Sequence, residues 1–363
     1  MSKVLIITNH SYMLYRFRLG LIESIGKEHE VVLTMPFVGH EEDFQALGYK
    51  CIPYTMDRRS VNPFKDFQLF LYFLRLLRQE SPDLVLTYSI KPNVYAGLAC
   101  QLLGIPYFSH VQGLGTAFQT PVMAKIATVL YKLGLRKAKT VFFENQSNAD
   151  TFFQYKILSP ERACLLPGAG INLDAYPYQP YPQDGQIHFL YLGRIMKEKG
   201  VEELFDAIRR LHDKYGNQVV LDLVGFFEDS YKEQVEQMVA DGVAVFHGFQ
   251  QDPLPFYSAA HCVVLPSYHE GMSNVLLEAA AIGRPLITSD IPGCREAVEH
   301  GKTGLLCQPA DAEDLYTQME TFLYLDPSQR EAIGRLGHEK MRREFDRQHV
   351  VSRTMEALFG TKE

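Results

Sequence analysis

Short apolar runs alternate with amphipathic segments through the first 145 residues, and the same alternation starts again at residue 187. Apolar strands separated by helices are typical of parallel sheets with helices on both faces. Between the two series lies 167-PGAGINLDAYPYQPYPQDGQ-186, a proline- and glycine-rich stretch without helical periodicity, as in linkers. The pattern predicts an α/β chain of two doubly wound, Rossmann-like domains that face each other across a cleft, where ligands bind beyond the carboxyl ends of the strands.

The predicted strands cover 3–8, 30–36, 50–56, 83–89, 105–111 and 139–145, then 187–193, 218–225, 243–248, 261–267 and 285–290. The predicted helices cover 13–27, 64–80, 93–103, 121–138, 200–216, 230–241, 273–282 and 311–325, followed by a charged helical tail over about 328–359. We expect domains at 1–175 and 176–345, and a C-terminal helix at 346–363 that packs back on the first domain.

Composition narrows the class of protein. The net charge of −7 is uneven, with a mildly basic first half and an acidic second half. A basic half can face an anionic membrane surface or a phosphorylated ligand, although charge also varies between domains by chance. We expect no nucleic-acid partner. No run of eighteen apolar residues and no secretory signal is visible, which indicates a cytoplasmic protein. The six cysteines form no Cys-x-x-Cys pair, so we expect reduced, buried thiols and no zinc.

The stretch 268-YHEGMSNVLLEAAAIGRP-285 reads as a loop at a strand end followed by a short apolar helix. Ser273 is a good N-cap, and Gly283 ends the helix. The first turn of such a helix offers free N–H groups and a positive dipole end, which suit an anion or sugar hydroxyls. Gly271 allows the backbone to come close to a ligand.

Two carboxylates in this stretch need an explanation. Glu270 lies on the loop, and Glu278 lies among apolar residues of the helix. Burial of a carboxylate costs several kcal/mol unless it is paired or hydrogen-bonded. Vicinal ribose hydroxyls would satisfy Glu278; the structural alternative is a salt bridge to a neighbouring basic residue, such as Arg284 or Arg295.

A second group of candidate residues begins at the end of the second domain's first predicted strand, in the segment 191-YLGRIMKEKGVEEL-204. Gly193 opens a turn, Arg194 and Lys199 follow, and Gly200 precedes a helix. Two cations beside a glycine turn suit a diphosphate, although a solvated basic loop is the ordinary alternative. Because the chain has no Asp-x-Asp sequence, we expect neither a metal clamp nor a cofactor.

The first domain has polar candidates at predicted strand ends. In 105-IPYFSHVQGLG-115, His110 and Gln112 are expected at the edge of the sheet, although a lone His is more often a structural donor. Candidate ligands for an acceptor phosphate follow two other strands: Arg16, Arg18, Lys91 and Asn93. A dinucleotide site is poorly supported, because the nearest match, 113-GLGTAF-118, lacks the third glycine.

Two predicted helices suit a membrane surface. Segment 64–79 is aromatic-rich and amphipathic, and segment 121–139 has five basic residues and no acidic one. A basic amphipathic helix can lie on an anionic bilayer, but such a helix also commonly just covers a sheet.

Taken together, these residues resemble the family 4 glycosyltransferases, retaining enzymes of the GT-B fold, over essentially the whole chain. Glu270 and Glu278 match that family's Glu-x7-Glu motif, and Gly193, Arg194, Lys199 and Gly200 match its diphosphate motif. The pieces 87-TYSIKPNVYAG-97, 112-QGLGTAF-118 and 143-FENQSN-148 are similar to the branch that extends undecaprenyl-diphosphate sugars in capsule, O-antigen or N-glycan assembly.

The resemblance implies a UDP-linked sugar donor held by the second domain, with Arg194 and Lys199 on the diphosphate and Glu278 on the ribose. It implies that Glu270 holds the donor sugar, aided by the backbone of Gly271, Met272, Ser273 and Asn274. It implies transfer with retained anomeric configuration and without a divalent metal, to a polyprenyl-diphosphate sugar at the inner face of the cytoplasmic membrane. The acceptor would enter from the first domain, where we expect Arg16, Arg18, Lys91, Asn93, Gly113 and Gly115 to bind it.

One departure concerns the first domain: many family members have a His before the glycine turn where this chain has Gln112, with His110 two residues earlier. Either side chain is a candidate for contact with the sugar. Two other functions fit the same architecture. A nucleotide-sugar epimerase would consume the donor without an acceptor, and a sugar-binding protein would not consume it at all.

Overall fold

The computed structural model describes residues 1–56, 62–114, 118, 120–182 and 185–360. The chain forms two compact units. The first unit is Met1–Ala169 together with Arg347–Glu363, and the second unit is Gly170–Asp346. The first boundary lies a few residues before the expected 175/176, and the second lies one residue after the expected 345/346.

The first unit contains a seven-stranded parallel sheet in the order β3-β2-β1-β4-β5-β6-β7. Its strands are β1 Lys3–Ile7, β2 Glu30–Met35, β3 Lys50–Pro53, β4 Leu84–Tyr88, β5 Tyr107–Val111, β6 Val141–Phe143 and β7 Ala163–Leu165. Its helices are α1 Ser11–Gly26, α2 Glu41–Ala46, α3 Pro63–Glu80, α4 Gly97–Leu103, α5 Pro121–Gly134, α6 Gln146–Gln154 and α13 Arg347–Phe359. A π-helical turn, Pro92–Ala96, leads directly into α4.

The apolar runs form central strands because both faces of the sheet are covered. In β1, Leu5 and Ile7 belong to one core cluster, whereas Val4 and Ile6 belong to another. Alternate side chains of a strand point to opposite faces, so both faces of this strand pack against apolar layers. The prediction of a doubly covered parallel sheet is therefore confirmed.

The second unit contains a six-stranded parallel sheet in the order β10-β9-β8-β11-β12-β13. Its strands are β8 Ile187–Leu192, β9 Val219–Val224, β10 Ala244–Gly248, β11 Cys262–Leu265, β12 Leu286–Ser289 and β13 Gly304–Cys307. Its helices are α7 Val201–Tyr215, α8 Lys232–Ala240, α9 Leu254–Ala259, α10 Asn274–Ala281, α11 Ala312–Tyr324 and α12 Pro327–Glu344.

The charged helical tail consists of two helices. α12 ends at Glu344 and α13 begins at Arg347, in different units. Val350 and Leu358 of α13 are buried in the same apolar cluster as residues of β1 and α1 in the first unit.

Among the described residues, no helix is long and apolar enough to cross a bilayer. All six cysteines are unpaired, and four of them are buried.

Candidate active site

The loop between β11 and α10 begins the helix as the sequence predicts. Ser273 is the N-cap, and its hydroxyl oxygen accepts a hydrogen bond from the backbone N–H of Leu276 at 3.5 Å. Met272 is buried beside it. The first turn of α10 therefore begins at the carboxyl edge of the sheet, where helix N–H groups can receive an anion or a hydroxyl.

The structure brings the segment after β8, which contains Lys199, into direct contact with the loop after β11, which contains Glu270. Nζ of Lys199 donates to Oε1 of Glu270 at 2.5 Å, although the residues are 71 positions apart. The hydroxyl of Ser267 donates to the same oxygen at 2.9 Å. The exposed fractions of the Lys199 and Glu270 side chains are 17% and 14%, so this ion pair is largely shielded from water. A shielded pair has a strong mutual attraction and also a large cost if one partner is removed.

Gly200 allows this contact. Its φ of +69° is left-handed, and a Cβ atom there would lie 2.0 Å from the carbonyl oxygen of Pro266. The two segments are also joined by the backbone N–H of Tyr268, which donates to the Glu198 carbonyl at 2.9 Å. The Tyr268 hydroxyl donates to Oε1 of Glu203 at 2.6 Å. Only glycine permits so close an approach, which explains its place after Lys199.

Arg194 is held more loosely than Lys199. Its Nη1 lies 3.4 Å from Oε2 of Glu228, and 43% of its side chain is exposed. Its carbonyl oxygen accepts a hydrogen bond from the buried Tyr191 hydroxyl at 2.5 Å, which fixes the turn that starts at Gly193. A long, exposed ion pair contributes little stability, so the guanidinium can exchange Glu228 for a ligand at small cost.

Glu278 is buried, with 4% of its surface exposed, and its Oε2 accepts a hydrogen bond from the Tyr257 hydroxyl at 2.9 Å. The two arginines considered as salt-bridge partners are engaged elsewhere. Arg284 donates to backbone carbonyls, including those of Tyr257 and Pro180, and Arg295 pairs with Asp290. Neither Arg284 nor Arg295 therefore forms a salt bridge with Glu278.

Sequence reasoning missed Gly293, which supports the same loop. A Cβ atom at Gly293 would lie 2.6 Å from the carbonyl oxygen of Gly271 and 2.7 Å from that of Glu270, and its φ is +88°. Its own carbonyl accepts from the backbone N–H of Ser273 at 2.9 Å. The available signal was the sequence 290-DIPGCRE-296 directly after a predicted strand, where a glycine between Pro and Cys indicates a special backbone conformation.

In the first unit, His110 is buried rather than accessible at the sheet edge, which corrects one expectation. It lies within β5, is 2% exposed, and has its Nε2 3.3 Å from Oε1 of Glu144. Arg18 is also buried, and its Nη2 donates to the same Glu144 oxygen at 2.5 Å. Burial lowers the pKa of His110 to about 4, with Arg18 adding to the effect and Glu144 opposing it. Sequence reasoning missed Glu144, which organises this cluster.

Two further acceptor-site candidates have structural partners. Asn93 is fully buried: its Oδ1 accepts from the Thr87 hydroxyl at 2.7 Å and its Nδ2 donates to the His110 carbonyl at 3.0 Å. This arrangement corrects the expectation that Asn93 is available to a ligand. Lys91 forms an ion pair with Asp66 at 2.8 Å, with both side chains mostly buried.

The remaining candidates of the first unit are half-buried and reach its surface. Gln112 accepts a long hydrogen bond from the Ser89 hydroxyl at 3.4 Å, and Arg16 lies 3.4 Å from the Tyr12 hydroxyl. Gly113 is also half-buried, whereas Gly115 lies outside the described residues. Gln112, rather than His110, is therefore the side chain placed at the carboxyl end of β5. Within the described part of the chain, no group of three or more His, Cys, Asp or Glu side chains is arranged to hold a metal ion.

Two doubly wound parallel-sheet domains, one with a cation and a carboxylate beside a helix N-terminus, define a glycosyltransferase of the GT-B type. Family profiles agree: "Glycosyl transferase 4-like" matches residues 3–145 and "Glycosyl transferases group 1" matches residues 186–324. Together they cover most of the chain, which belongs to the family 4 glycosyltransferases.

Curated relatives of similar length share this family. The chain is 28% identical over 329 residues to N,N'-diacetylbacillosaminyl-diphospho-undecaprenol alpha-1,3-N-acetylgalactosaminyltransferase from Campylobacter jejuni, covering 85% of this chain and 86% of that protein. It is 23% identical over 321 residues to the capsular polysaccharide biosynthesis glycosyltransferase CapM from Staphylococcus aureus, covering 84% and 83% of the two chains.

A solved structure confirms the fold. Anabaena Alr3699/HepE, determined in complex with UDP and glucose, superimposes with a TM-score of 0.80 at 19% identity, covering 99% of this chain and 100% of the other.

Proposed function

We propose that this enzyme transfers a hexose or N-acetylhexosamine from a UDP-linked donor to a lipid-diphosphate-linked sugar, with retention of anomeric configuration. The observation that carries the proposal is the contact between Lys199 and Glu270 beside the first turn of α10, with Glu278 buried in the same helix. These side chains supply one cation for a diphosphate and two carboxylates for the hydroxyls of two sugar rings.

The diphosphate is bound by Lys199 and Arg194 in this proposal. Lys199 offers a compact ammonium group, and Arg194 offers a planar guanidinium group that pairs only weakly with Glu228. As the bond between the anomeric carbon and the diphosphate oxygen breaks, negative charge grows on the leaving group. Cations already in place stabilise that charge without reorganisation, which is where this kind of site gains most of its rate.

The carboxylates are assigned to hydroxyl groups. Glu270 turns from Lys199 toward the hydroxyls of the donor sugar as the diphosphate takes over the ammonium group. Glu278 accepts hydrogen bonds from the ribose hydroxyls, in addition to the Tyr257 hydroxyl it already binds. The backbone of Gly271, Met272, Ser273 and Asn274, braced by Gly293, lines the donor site.

The chemical step needs no covalent intermediate. The acceptor hydroxyl attacks the anomeric carbon on the face from which the diphosphate leaves, one C–O bond forms as the other breaks, and the hydroxyl proton passes to the departing phosphate oxygen. The protein's part is to orient the donor and neutralise the leaving group. We assign no divalent metal to this step, since Lys199 and Arg194 supply the positive charge.

The acceptor class is supported by the names of two relatives, one acting on a diphospho-undecaprenol sugar and one in capsular polysaccharide biosynthesis. We assign the acceptor to the first unit, with Arg16, Lys91, Gln112 and Gly113 as its contacts. Peripheral association with the inner face of the cytoplasmic membrane is supported by exposed apolar residues on three neighbouring helices, α3, α4 and α5. They are Phe64, Phe67, Leu102, Val122, Ile126, Val129 and Leu133, which we call the exposed apolar surface.

Basic residues accompany this surface. Lys125 and Lys132 of α5 are solvent-exposed, and Arg136, Lys137 and Lys139 follow the helix. An apolar face flanked by cations binds anionic bilayers through both burial and charge.

Incubation of the purified enzyme with each of a set of UDP-sugars, with and without a polyprenyl-diphosphate sugar, tests the proposal. We expect UDP release that depends on the acceptor and a product whose new linkage has the donor's anomeric configuration by NMR. Donor conversion without an acceptor would indicate the epimerase alternative. An intact donor with every acceptor, from a protein that binds UDP-sugar, would indicate a binding protein.

A further inference from the structure

A groove on the first unit has no role in the function described so far. It lies between α3 and the continuous helical segment formed by the π-helical turn and α4, and its volume is about 440 Å³. Its walls include Asp66, Phe67 and Phe70 on one side and Tyr95, Leu98 and Leu102 on the other. Phe67 and Leu102 at its rim are 57% and 69% exposed, so the groove is open.

The groove has one polar end. Asp66 lies in the first turn of α3 and binds Lys91, which closely follows β4. This contact holds the starts of both helical segments together at the carboxyl edge of the sheet. At a rise of about 1.5 Å per residue, the steps from residue 63 to 70 and from 95 to 102 give a groove about 10 Å long. It therefore runs from the sheet edge, where Gln112 also lies, down to Leu102.

Away from Asp66, the groove offers little for a polar ligand. The amide of Gln101, which also lines it, donates to the Leu133 carbonyl at 2.8 Å and to the Gly134 carbonyl at 3.0 Å. Its polar end is thus directed to α5, which leaves its aliphatic stem for the groove. Phe67, Phe70, Leu98 and Leu102 present only carbon atoms. An unbranched or methyl-branched hydrocarbon suits such walls, and open apolar surface of this kind marks a binding site.

The far end of the groove meets the exposed apolar surface. The contact of Gln101 with Leu133 and Gly134 places the last turn of α4 beside the end of α5. On α5, Val122, Ile126, Val129 and Leu133 recur at steps of four, three and four residues and therefore share one face. The end of the groove at Leu102 therefore lies beside the helix that carries most of the exposed apolar surface.

We propose that this groove binds the first isoprene units of the acceptor lipid, with its diphosphate at the Lys91 end. The inference rests on the proposed function, which supplies a polyprenyl-diphosphate acceptor. Lys91 shares its ammonium group between Asp66 and the diphosphate, while the hydrocarbon lies against Phe67, Phe70, Leu98 and Leu102. The groove thus recognises the lipid and sets how far its sugar extends beyond the sheet edge.

The chain offers a matched pair of variants. Phe67 lies at the rim of the groove, and Val129 belongs to the exposed apolar surface outside it; each is 57% exposed. Phe67→Glu and Val129→Glu therefore place the same charge on equally accessible helix positions and should both fold. Both weaken binding to vesicles of anionic phospholipid to a similar degree, since both remove apolar area from that surface.

Only Phe67→Glu should change the recognition of the prenyl chain. In detergent micelles, we compare kcat/KM for two acceptors with the same diphosphate sugar, one on a long prenyl chain and one on an ethyl group. The wild type and Val129→Glu should prefer the prenyl acceptor by about tenfold or more, the effect of burying about two methylene groups. Phe67→Glu should lose that preference and keep its rate with the ethyl acceptor. An equal effect of both variants, or a wild type indifferent to the chain, would overturn the proposal.

Photo-crosslinking separates failure of this proposal from failure of the proposed function. A prenyl diphosphate analogue with a benzophenone on its first isoprene unit should label α3 or α4 of the wild type and of Val129→Glu, but not of Phe67→Glu, whether or not any sugar is transferred. Labelling confined to α5, or unchanged in Phe67→Glu, would show that the hydrocarbon binds elsewhere. If neither acceptor is glycosylated while this labelling holds, the proposed reaction is wrong and the groove remains a prenyl site.

Discussion

At the scale of single residues, the site depends on one shielded ion pair. Lys199 and Glu270 neutralise each other before a donor arrives, and Ser267 adds a hydrogen bond to the carboxylate. Each charge therefore has a partner in the free enzyme, and a diphosphate with sugar hydroxyls can replace both partners at once. This exchange keeps every charge compensated, which a buried site requires.

Lys199→Met should lower kcat/KM for the donor by about 10²–10³-fold, because one preorganised cation no longer meets the leaving diphosphate. The measurement is acceptor-dependent UDP release, with circular dichroism to verify folding. Lys197→Met is the matched control: it lies in the same short 3₁₀ turn, and 64% of its side chain is exposed. Near-normal turnover of a folded Lys199→Met enzyme would remove Lys199 from its assigned role.

At the scale of elements, the sequence motifs are held together by close backbone contact. The segment after β8 and the loop after β11 meet where Gly200 passes Pro266, and the loop after β12 meets them through Gly293. The ends of three parallel strands thus meet at one point of the sheet edge, as is usual for ligand sites in this architecture.

Gly200→Ala should reduce both stability and activity. The added Cβ atom would collide with the Pro266 carbonyl, and a clash with backbone cannot be relieved by a side-chain rotation. We expect a loss of about 3 kcal/mol or more in the free energy of unfolding, measured by urea titration. Gly104→Ala separates the clash from the backbone strain, because Gly104 has the same left-handed backbone as Gly200, with a φ of +71°, and open space around it. Equal losses in both variants would show that the close approach is unimportant.

Three neighbouring strands of the second unit contribute a titratable cluster. Asp222 of β9 binds His188 of β8 at 2.7 Å and His247 of β10 at 2.7 Å. The hydrogen bond to Asp222 raises the pKa of His188 against the opposing effect of burial. Burial alone would raise the pKa of Asp222, but the two histidines outweigh it and the pKa is lowered.

The cluster should therefore stabilise the fold more at mildly acidic pH. The His188 contribution is complete below the ordinary histidine pKa of 6.5 and is lost as pH rises through the raised value. The Asp222 contribution is complete above its ordinary pKa of 3.8 and is lost as pH falls through the lowered value. Unfolding free energy should be higher at pH 5.5 than at pH 8, by less than about 1 kcal/mol since His188 is partly exposed. Asp222→Asn should abolish this difference, and an unchanged pH slope in that variant would assign it to other groups.

The central strands could be predicted from the sequence because a strand that is buried on both faces needs a continuous apolar run, such as Val4–Ile7. Sequence reasoning missed β7 and α2, which are short and lie at the margin of the sheet, and β13, which has only four residues and begins with a glycine. It placed Lys199 and Glu270 in one site by motif, yet their direct contact depends on Gly200 and Pro266, which lie far apart along the chain. It misread His110 and Asn93, because residue type and position near the end of a strand do not reveal whether a polar side chain is turned into the protein or toward its surface.

At the scale of the whole molecule, the two units differ in chain continuity. The second is one uninterrupted stretch, whereas the first needs α13 from the end of the sequence. Val350 and Leu358 of α13 are buried in the cluster that contains Leu14 and Leu21 of α1. The stability of the first unit therefore depends on residues that are made after the whole second unit.

Deletion of residues 346–363 should destabilise the first unit selectively. Each buried Val or Leu side chain contributes about 1.5–3 kcal/mol, so the loss should amount to several kcal/mol. Hydrogen exchange monitored by mass spectrometry should show faster exchange in α1 and β1 and unchanged protection in β8 and β11. Deletion of residues 361–363 alone is the control and should leave all four elements unchanged. Uniform loss of protection in both units would contradict the assignment of α13 to the first.

This dependence on α13 has a consequence during synthesis on the ribosome. The N-terminal half emerges first, but α13 cannot cover α1 until residues 347–359 have been made, so an apolar strip that contains Leu14 and Leu21 stays exposed while the whole second unit is synthesised. The nascent polypeptide is then a natural client for chaperones, and a ribosome that stalls before codon 347 leaves an N-terminal half that cannot mature.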